Sequence, residues 1–164
     1  MKKLIVLCLY CLMLAACRPA SAPAEDTGTE TTEPVTTAAQ AAPATLTVFT
    51  PDENAEQFLQ TQVTVDQVNE TSILSALIDA GVLAENVTVN SAELSGEELR
   101  LDLNDAFRDQ LLSLGTAGEY ALMGSLINTF LTAYPDARTL SVTVDGAVLE
   151  SGHAVYDSPL EFFE

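Results

Sequence analysis

The sequence has no tryptophan, a single histidine and three cysteines, and all three cysteines fall within its first 17 residues. Lysine occurs only as Lys2 and Lys3, so the basic side chains beyond residue 17 are Arg18, Arg100, Arg108 and Arg138, set against 24 acidic residues. Each shortage removes a class of chemistry. Nucleic-acid binding needs cationic side chains that neutralise phosphates and release counterions, and a surface this acidic repels the backbone. The same charge argues against electrostatic adhesion to anionic lipid, so any membrane attachment must be hydrophobic or covalent. Zinc prefers Cys and His ligands, of which almost none are left. With Cys8 and Cys11 inside an apolar run, Cys17 is the only thiol beyond it, and an intramolecular disulfide is excluded there. Glycine clusters followed by Lys-Ser or Lys-Thr are missing too, which removes a phosphate-cradling loop.

What the N-terminus does contain is a positive start, Met1-Lys2-Lys3, an apolar run from Leu4 to Leu14, and the small pair Ala15-Ala16 before Cys17. The run is shorter than the roughly 20 residues needed to span a hydrocarbon core, which predicts a secretory signal over residues 1–16 and not a permanent membrane helix. Leu14-Ala15-Ala16-Cys17 resembles the lipobox of bacterial lipoproteins. That resemblance implies cleavage between Ala16 and Cys17 and lipidation of the Cys17 sulfur with acyl chains such as palmitate. Two buried chains give stable anchoring at about 0.8 kcal/mol per CH₂. The expected location is extracytoplasmic, on the outer face of the cell membrane.

From Arg18 to Ala44 the chain is built of Ala, Thr, Pro and Glu, with Val35 its only large aliphatic residue. Too little apolar surface is present to offset the entropy of ordering, so residues 17–44 are expected to form a lipidated, disordered tether. As a flexible coil it spans on the order of 30 Å, and at most about 90 Å extended.

Residues 45–164 carry the patterns of one folded domain. Leu46 and Val48 alternate with Thr45 and Thr47 ahead of Pro51-Asp52-Glu53-Asn54, and a second alternating stretch runs from Gln57 to Val65, which predicts two strands. Ile73, Leu74, Leu77 and Ile78 recur at helical spacing, with Asn69 or Thr71 as cap and Gly81 as terminator. Strands are predicted over Asn86–Leu94 and Leu99–Leu103, joined at Ser95-Gly96, with Arg100 and Asp102 facing water. Asn104 is placed to cap a short helix carrying Phe107, Leu111 and Leu112. A longer helix carries Tyr120, Met123, Ile127, Phe130, Leu131 and Tyr134 before Pro135, and Asp145-Gly146 joins a final hairpin. This order predicts an α+β domain, a mainly antiparallel sheet covered on one face by two or three helices.

Candidate chemistry is sparse. Any Ser/His/Asp arrangement must use His153, with Ser151 or Ser158 and Asp157 as neighbours, in a C-terminal loop poorly suited to holding three side chains in register. Two acidic groups invite a calcium reading, Glu93, Glu97 and Glu98 around a turn and Asp102, Asn104 and Asp105 at a strand-to-helix junction. Neither has EF-hand spacing, and a solvated hairpin tip and a helix cap explain them. A carboxylate pair for glycoside hydrolysis is a three-dimensional property that one sequence does not display. No catalytic residue, metal ligand or cofactor is therefore assigned.

From Leu99 onward the chain resembles the GerMN domain, a module of spore-formation and germination proteins. The resemblance rests on Leu101-Asp102-Leu103 with Phe107, on Glu119, on Ile127-Asn128-Thr129-Phe130-Leu131, and on Val142-Thr143-Val144-Asp145-Gly146. It implies a protein-interaction or scaffold module of the cell envelope without catalytic residues, with Asn128, Thr129, Asp145 and Gly146 as motif positions. Partners are then envelope proteins and the membrane reached through Cys17, with no nucleic acid, and a homo-oligomer is compatible with such a module. The rival readings are an extracytoplasmic hydrolase using paired carboxylates on cell-wall glycans, and a lipoprotein that binds a small ligand.

Overall fold

The computed structural model describes residues 42–164, so the signal sequence, Cys17 and nearly all of the tether lie outside the described residues. Strand β1 (Ala44–Pro51) starts on the last residue that the sequence assigns to the tether and pairs antiparallel with β2 (Phe58–Val65), from Ala44↔Val65 to Pro51↔Phe58. Asp52 shapes the connection by accepting from the Glu56 backbone N–H at 2.8 Å. Helix α1 (Glu70–Asp79) opens with a reciprocal cap between Asn69 and Ser72. It closes at Gly81, whose φ of +74° lets the Gly81 and Val82 amides reach back to the Ile78 and Leu77 carbonyls. Asn69 and Gly81 thus do what the sequence expects of them.

Strands β3 (Val89–Ser95) and β4 (Glu98–Leu103) form a hairpin. Ser95 pairs with Glu98, so the turn is Gly96-Glu97, one residue later than the sequence suggests, with Gly96 at φ +64°. A crossover made of α2 (Asp105–Leu112) and α3 (Thr116–Ala133) then returns the chain to β5 (Thr139–Val144), which lies parallel to β4. The Asp145-Gly146 turn leads into β6 (Ala147–Glu150). Both turn residues have positive φ, 49° and 73°, as a tight two-residue hairpin turn requires. A short β7 (Val155–Tyr156), not foreseen in the sequence, adds to β6.

The single sheet expected from the sequence is two: a β1-β2 ribbon and a five-stranded sheet ordered β3-β4-β5-β6-β7. The α+β class with mainly antiparallel pairing holds. Leu99, Leu101 and Leu103 of β4 and Leu140, Val142 and Val144 of β5 are buried on one face, against α2 and α3. Their alternation with Glu98, Arg100, Ser141 and Thr143 is the pattern of a sheet with one face in the core. Each fully buried Leu or Phe contributes about 1.5–3 kcal/mol by leaving water.

Helix α3 departs most from a one-sided amphipathic helix, because every residue from Ala121 to Leu131 is buried. It lies between β1, α1 and the large sheet, with the C-terminal segment laid along it. Two residues of the expected apolar stripes face outward, Leu112 at 54% and Tyr120 at 40% exposure. Helix α2 ends at Leu112, so Leu111 fills the core and its neighbour has nothing left to pack against. No helix among the described residues is long and apolar enough to cross a membrane.

Candidate functional site

Polar side chains on a helix buried on all sides are as a rule hydrogen-bonded, and α3 carries Glu119, Ser125, Asn128 and Thr129 in its buried length. Thr129 Oγ1 donates to the Ser125 carbonyl at 2.7 Å and accepts from the Phe49 N–H at 3.0 Å, pinning the outer edge of β1 to the helix. Asn128 pairs with a single residue, its Oδ1 accepting from Phe163 N–H at 2.8 Å and its Nδ2 donating to Phe163 O at 2.9 Å. Its amide thus imitates one rung of a β-ladder and holds the chain end on α3.

Glu119 accepts from Ser151 Oγ at 2.6 Å and from the Tyr156 hydroxyl at 2.5 Å, both on Oε1. Among the described residues its second oxygen and Ser125 Oγ have no hydrogen-bond partner. Burial first, then the hydrogen bond to Glu119 and its charge, push the Tyr156 phenol well above the usual tyrosine range. Three of the polar groups on α3 therefore act as braces for β1, for the start of the segment after β6, and for its end.

The C-terminal segment is held by further contacts. Leu140 and Leu160 exchange two backbone hydrogen bonds at 2.9 Å, Tyr120 donates to the Glu164 carbonyl, and Phe162 meets Phe49 edge-on at 5.3 Å. Phe58 sits against Gly124 so closely that a Cβ there would fall 2.1 Å from its ring, and the same ring lies 5.8 Å from Tyr120. The sequence offers Glu119 as a motif position without a task, and does not point to Ser151 and Tyr156 as its partners or to Phe163 as the partner of Asn128. The available signal was a carboxylate inside an apolar helix, followed by an aromatic pair at the chain end.

The second motif region forms a polar knot on the open face. Asp102 accepts from Thr143 Oγ1 at 2.5 Å, from Gly146 N–H at 2.8 Å and from Asn90 Nδ2 at 3.0 Å. Asn90 also reaches Asp145 Oδ1 at 3.0 Å. Burial opposes the charge on Asp102, but the bonds from Thr143, Gly146 and Asn90 outweigh it and hold its carboxyl below the usual range. Asp102 is thus half-buried and bonded, not simply turned to water as its place in the strand suggests. Asp145 and Gly146 act as the turn that brings this network together.

The remaining candidates are placed as follows. Asn104 stands at the N-cap of α2 but makes no cap bond with its side chain, which accepts from Thr88 N–H and donates to Asn86 O at 2.9 Å. Asp105 pairs with Arg108, Glu97 with Arg138, and Glu98 with Arg100 and Ser141. Glu97, Glu98, Asp102, Asn104 and Asp105 are therefore divided among separate partners, and no cluster of three or more metal-ligating side chains occurs among the described residues. His153 is exposed and gives Ser151 its backbone N–H at 3.0 Å, while Ser158 turns to Asp157, so the hydrogen bonds do not assemble these residues into a relay.

Among the described residues, an open groove of about 960 Å³ lies between the β1-β2 ribbon and α1. Val63, Val65 and Thr61 line its ribbon side, and Thr71, Ser75 and Asp79 its helix side. The lining is mixed, with Val48, Ala76 and Ala80 beside the threonines, serines and aspartates.

Comparison with known proteins gives a family match over residues 25–150, to Germane, described as sporulation and spore germination. Among solved structures, the tandem GerMN domains of the sporulation protein GerM from Bacillus subtilis align with a TM-score of 0.52 at 19% identity, covering 73% of this chain and 45% of that one. A structure described as a candidate lipoprotein from Clostridium perfringens aligns with a TM-score of 0.49 at 17% identity, over 73% of this chain and 87% of the other. A search of curated protein sequences finds no match. The segment after residue 150, braced by Glu119 and Asn128, lies beyond the family-matched residues.

Proposed function

The chain belongs to the Germane family of sporulation and spore-germination domains, and from that premise we propose that it is a lipid-anchored extracytoplasmic protein whose folded domain serves as a binding module in envelope assemblies of sporulation or germination. The family match is the observation that carries this reading. Three further features support it. The lipobox-like Leu14-Ala15-Ala16-Cys17 supplies a covalent anchor, and the acidic, proline-containing stretch behind it supplies reach. The polar groups of the motif regions, Glu119, Asn128, Thr129 and Asp102, are engaged in joining segments of the fold to each other.

The test is chemical crosslinking of intact cells of the native host during sporulation, followed by recovery of the tagged chain and identification of its crosslinked partners. A variant lacking residues 45–164, still exported and lipidated, is expected to lose those partners. Recovery of the same partners by the truncated lipoprotein would place binding in the anchor and tether and overturn the proposal.

A further inference from the structure

The two edges of the β1-β2 ribbon are treated differently. On β1 the outer edge is closed by α3, since the Phe49 N–H is taken by Thr129 Oγ1. Among the described residues, no strand pairs with the outer edge of β2. The hydrogen-bonding phase of that edge follows from the same bond. Phe49 points its amide away from β2, so its antiparallel opposite, Gln60, points its own away from β1. With a period of two, Phe58, Gln60, Gln62 and Thr64 present free N–H and C=O groups outward.

An open edge is normally blunted by charge, proline or a bulge. β2 has none of these: Phe58-Leu59-Gln60-Thr61-Gln62-Val63-Thr64-Val65 is uncharged and pairs in unbroken register, in a chain of net charge −18. A basic partner would be served by acids along this edge. An edge cleared of acids in so acidic a protein suits the approach of a body that is itself acidic.

We propose that this edge pairs with the β2 edge of a second copy of the chain, joining two ribbons into one four-stranded antiparallel sheet. The inference rests on the binding-module reading and narrows it to one contact. A two-fold axis normal to the sheet keeps each face on its own side, so only same-parity residues can oppose one another. Centred on Gln62, it sets Gln62 against Gln62, Gln60 against Thr64, Leu59 against Val65 and Thr61 against Val63. Asp66 then meets Phe58 and Glu56 meets Val68, whereas centring on Thr61 would bring Glu56 against Asp66. The same symmetry places the second copy's Thr61, Val63 and Val65 on the face of the sheet that carries α1, extending the ribbon side of the groove beyond β2.

Sedimentation equilibrium of the full chain in density-matched detergent, over a range of protein concentrations, tests this. The expected parent species is a monomer–dimer equilibrium. Gln62→Pro removes an amide that β1 does not use, and weakens the dimer by about tenfold or more through the two symmetry-related bonds lost. Gln62→Lys and Gln62→Glu, at an exposed position that leaves the ladder to β1 intact, each weaken association alone, and a 1:1 mixture of the two restores it, because the opposed residues become an ion pair. A chain that stays monomeric up to about 1 mM, or a dimer indifferent to all three substitutions, overturns the inference. Crosslinked envelope partners lost with residues 45–164 would survive that result, which separates it from failure of the binding-module reading.

Discussion

Asn128 is the position where a structural role and a recognition role make opposite predictions. Replacing it by leucine keeps the volume and removes both hydrogen bonds to Phe163. At about 0.5–1.5 kcal/mol per bond, and with the chain end still retained by Tyr120 and by the Leu140–Leu160 pair, the loss should come to roughly 2 kcal/mol. For a domain of this size that lowers Tm by about 6–10 °C. Urea unfolding gives the free energy, and native-state hydrogen exchange should show the Phe163 amide released ahead of Leu160. In a chain ending at Asp157 the same substitution should cost almost nothing, because its partner has gone. Unchanged stability and an undisturbed Phe163 amide in the longer chain would refute the bracing role and return Asn128 to the candidates for recognition.

Other substitutions probe the neighbouring joints. The raised pKa of Tyr156 means that the unfolded chain releases the phenol proton first as pH rises above about 10, so stability should fall above that pH, and Tyr156→Phe should flatten the fall in alkaline urea titrations. Asp102 has the opposite sign: its lowered pKa favours the folded state above the ordinary carboxylate range and loses that advantage as pH drops through the folded value, so Asp102→Asn should reduce the loss of stability measured below about pH 4. Gly124→Ala gains about 1 kcal/mol of helix propensity but expels the Phe58 ring, for a net loss of roughly 1 kcal/mol by thermal denaturation. In a Phe58→Ala background the same change should become stabilising.

The elements that could be read from sequence are those whose signals are local. Asn69 and Gly81 bound α1, Asp145-Gly146 makes its turn, and the alternation in Leu99–Leu103 and Thr139–Val144 marks the buried face of the sheet, because capping, positive φ and pleat depend on a few adjacent residues. What escaped is set by distant partners. β7 is only two residues long and exists because β6 lies beside it, so no window of its own sequence announces a strand. The separation of the ribbon from the large sheet depends on α3 occupying the outer edge of β1, a contact across 80 residues. Asn128 and Thr129 were recognisable as polar residues in apolar company, but what they hold, the end of the chain and an early strand, becomes visible only once the fold brings them together. Leu112 shows the same limit in reverse, since helical periodicity nominates it for the core and the end of α2 leaves it exposed.

Tethered binding at the envelope is tested most directly by the yield of heat-resistant spores in a native host whose only copy of the chain carries Cys17→Ser with residues 45–164 intact. If the folded domain works by meeting its partners at the membrane, spore yield should fall to that of a strain lacking the chain altogether. Full spore yield from the unanchored protein, released into the surrounding fluid, would contradict it.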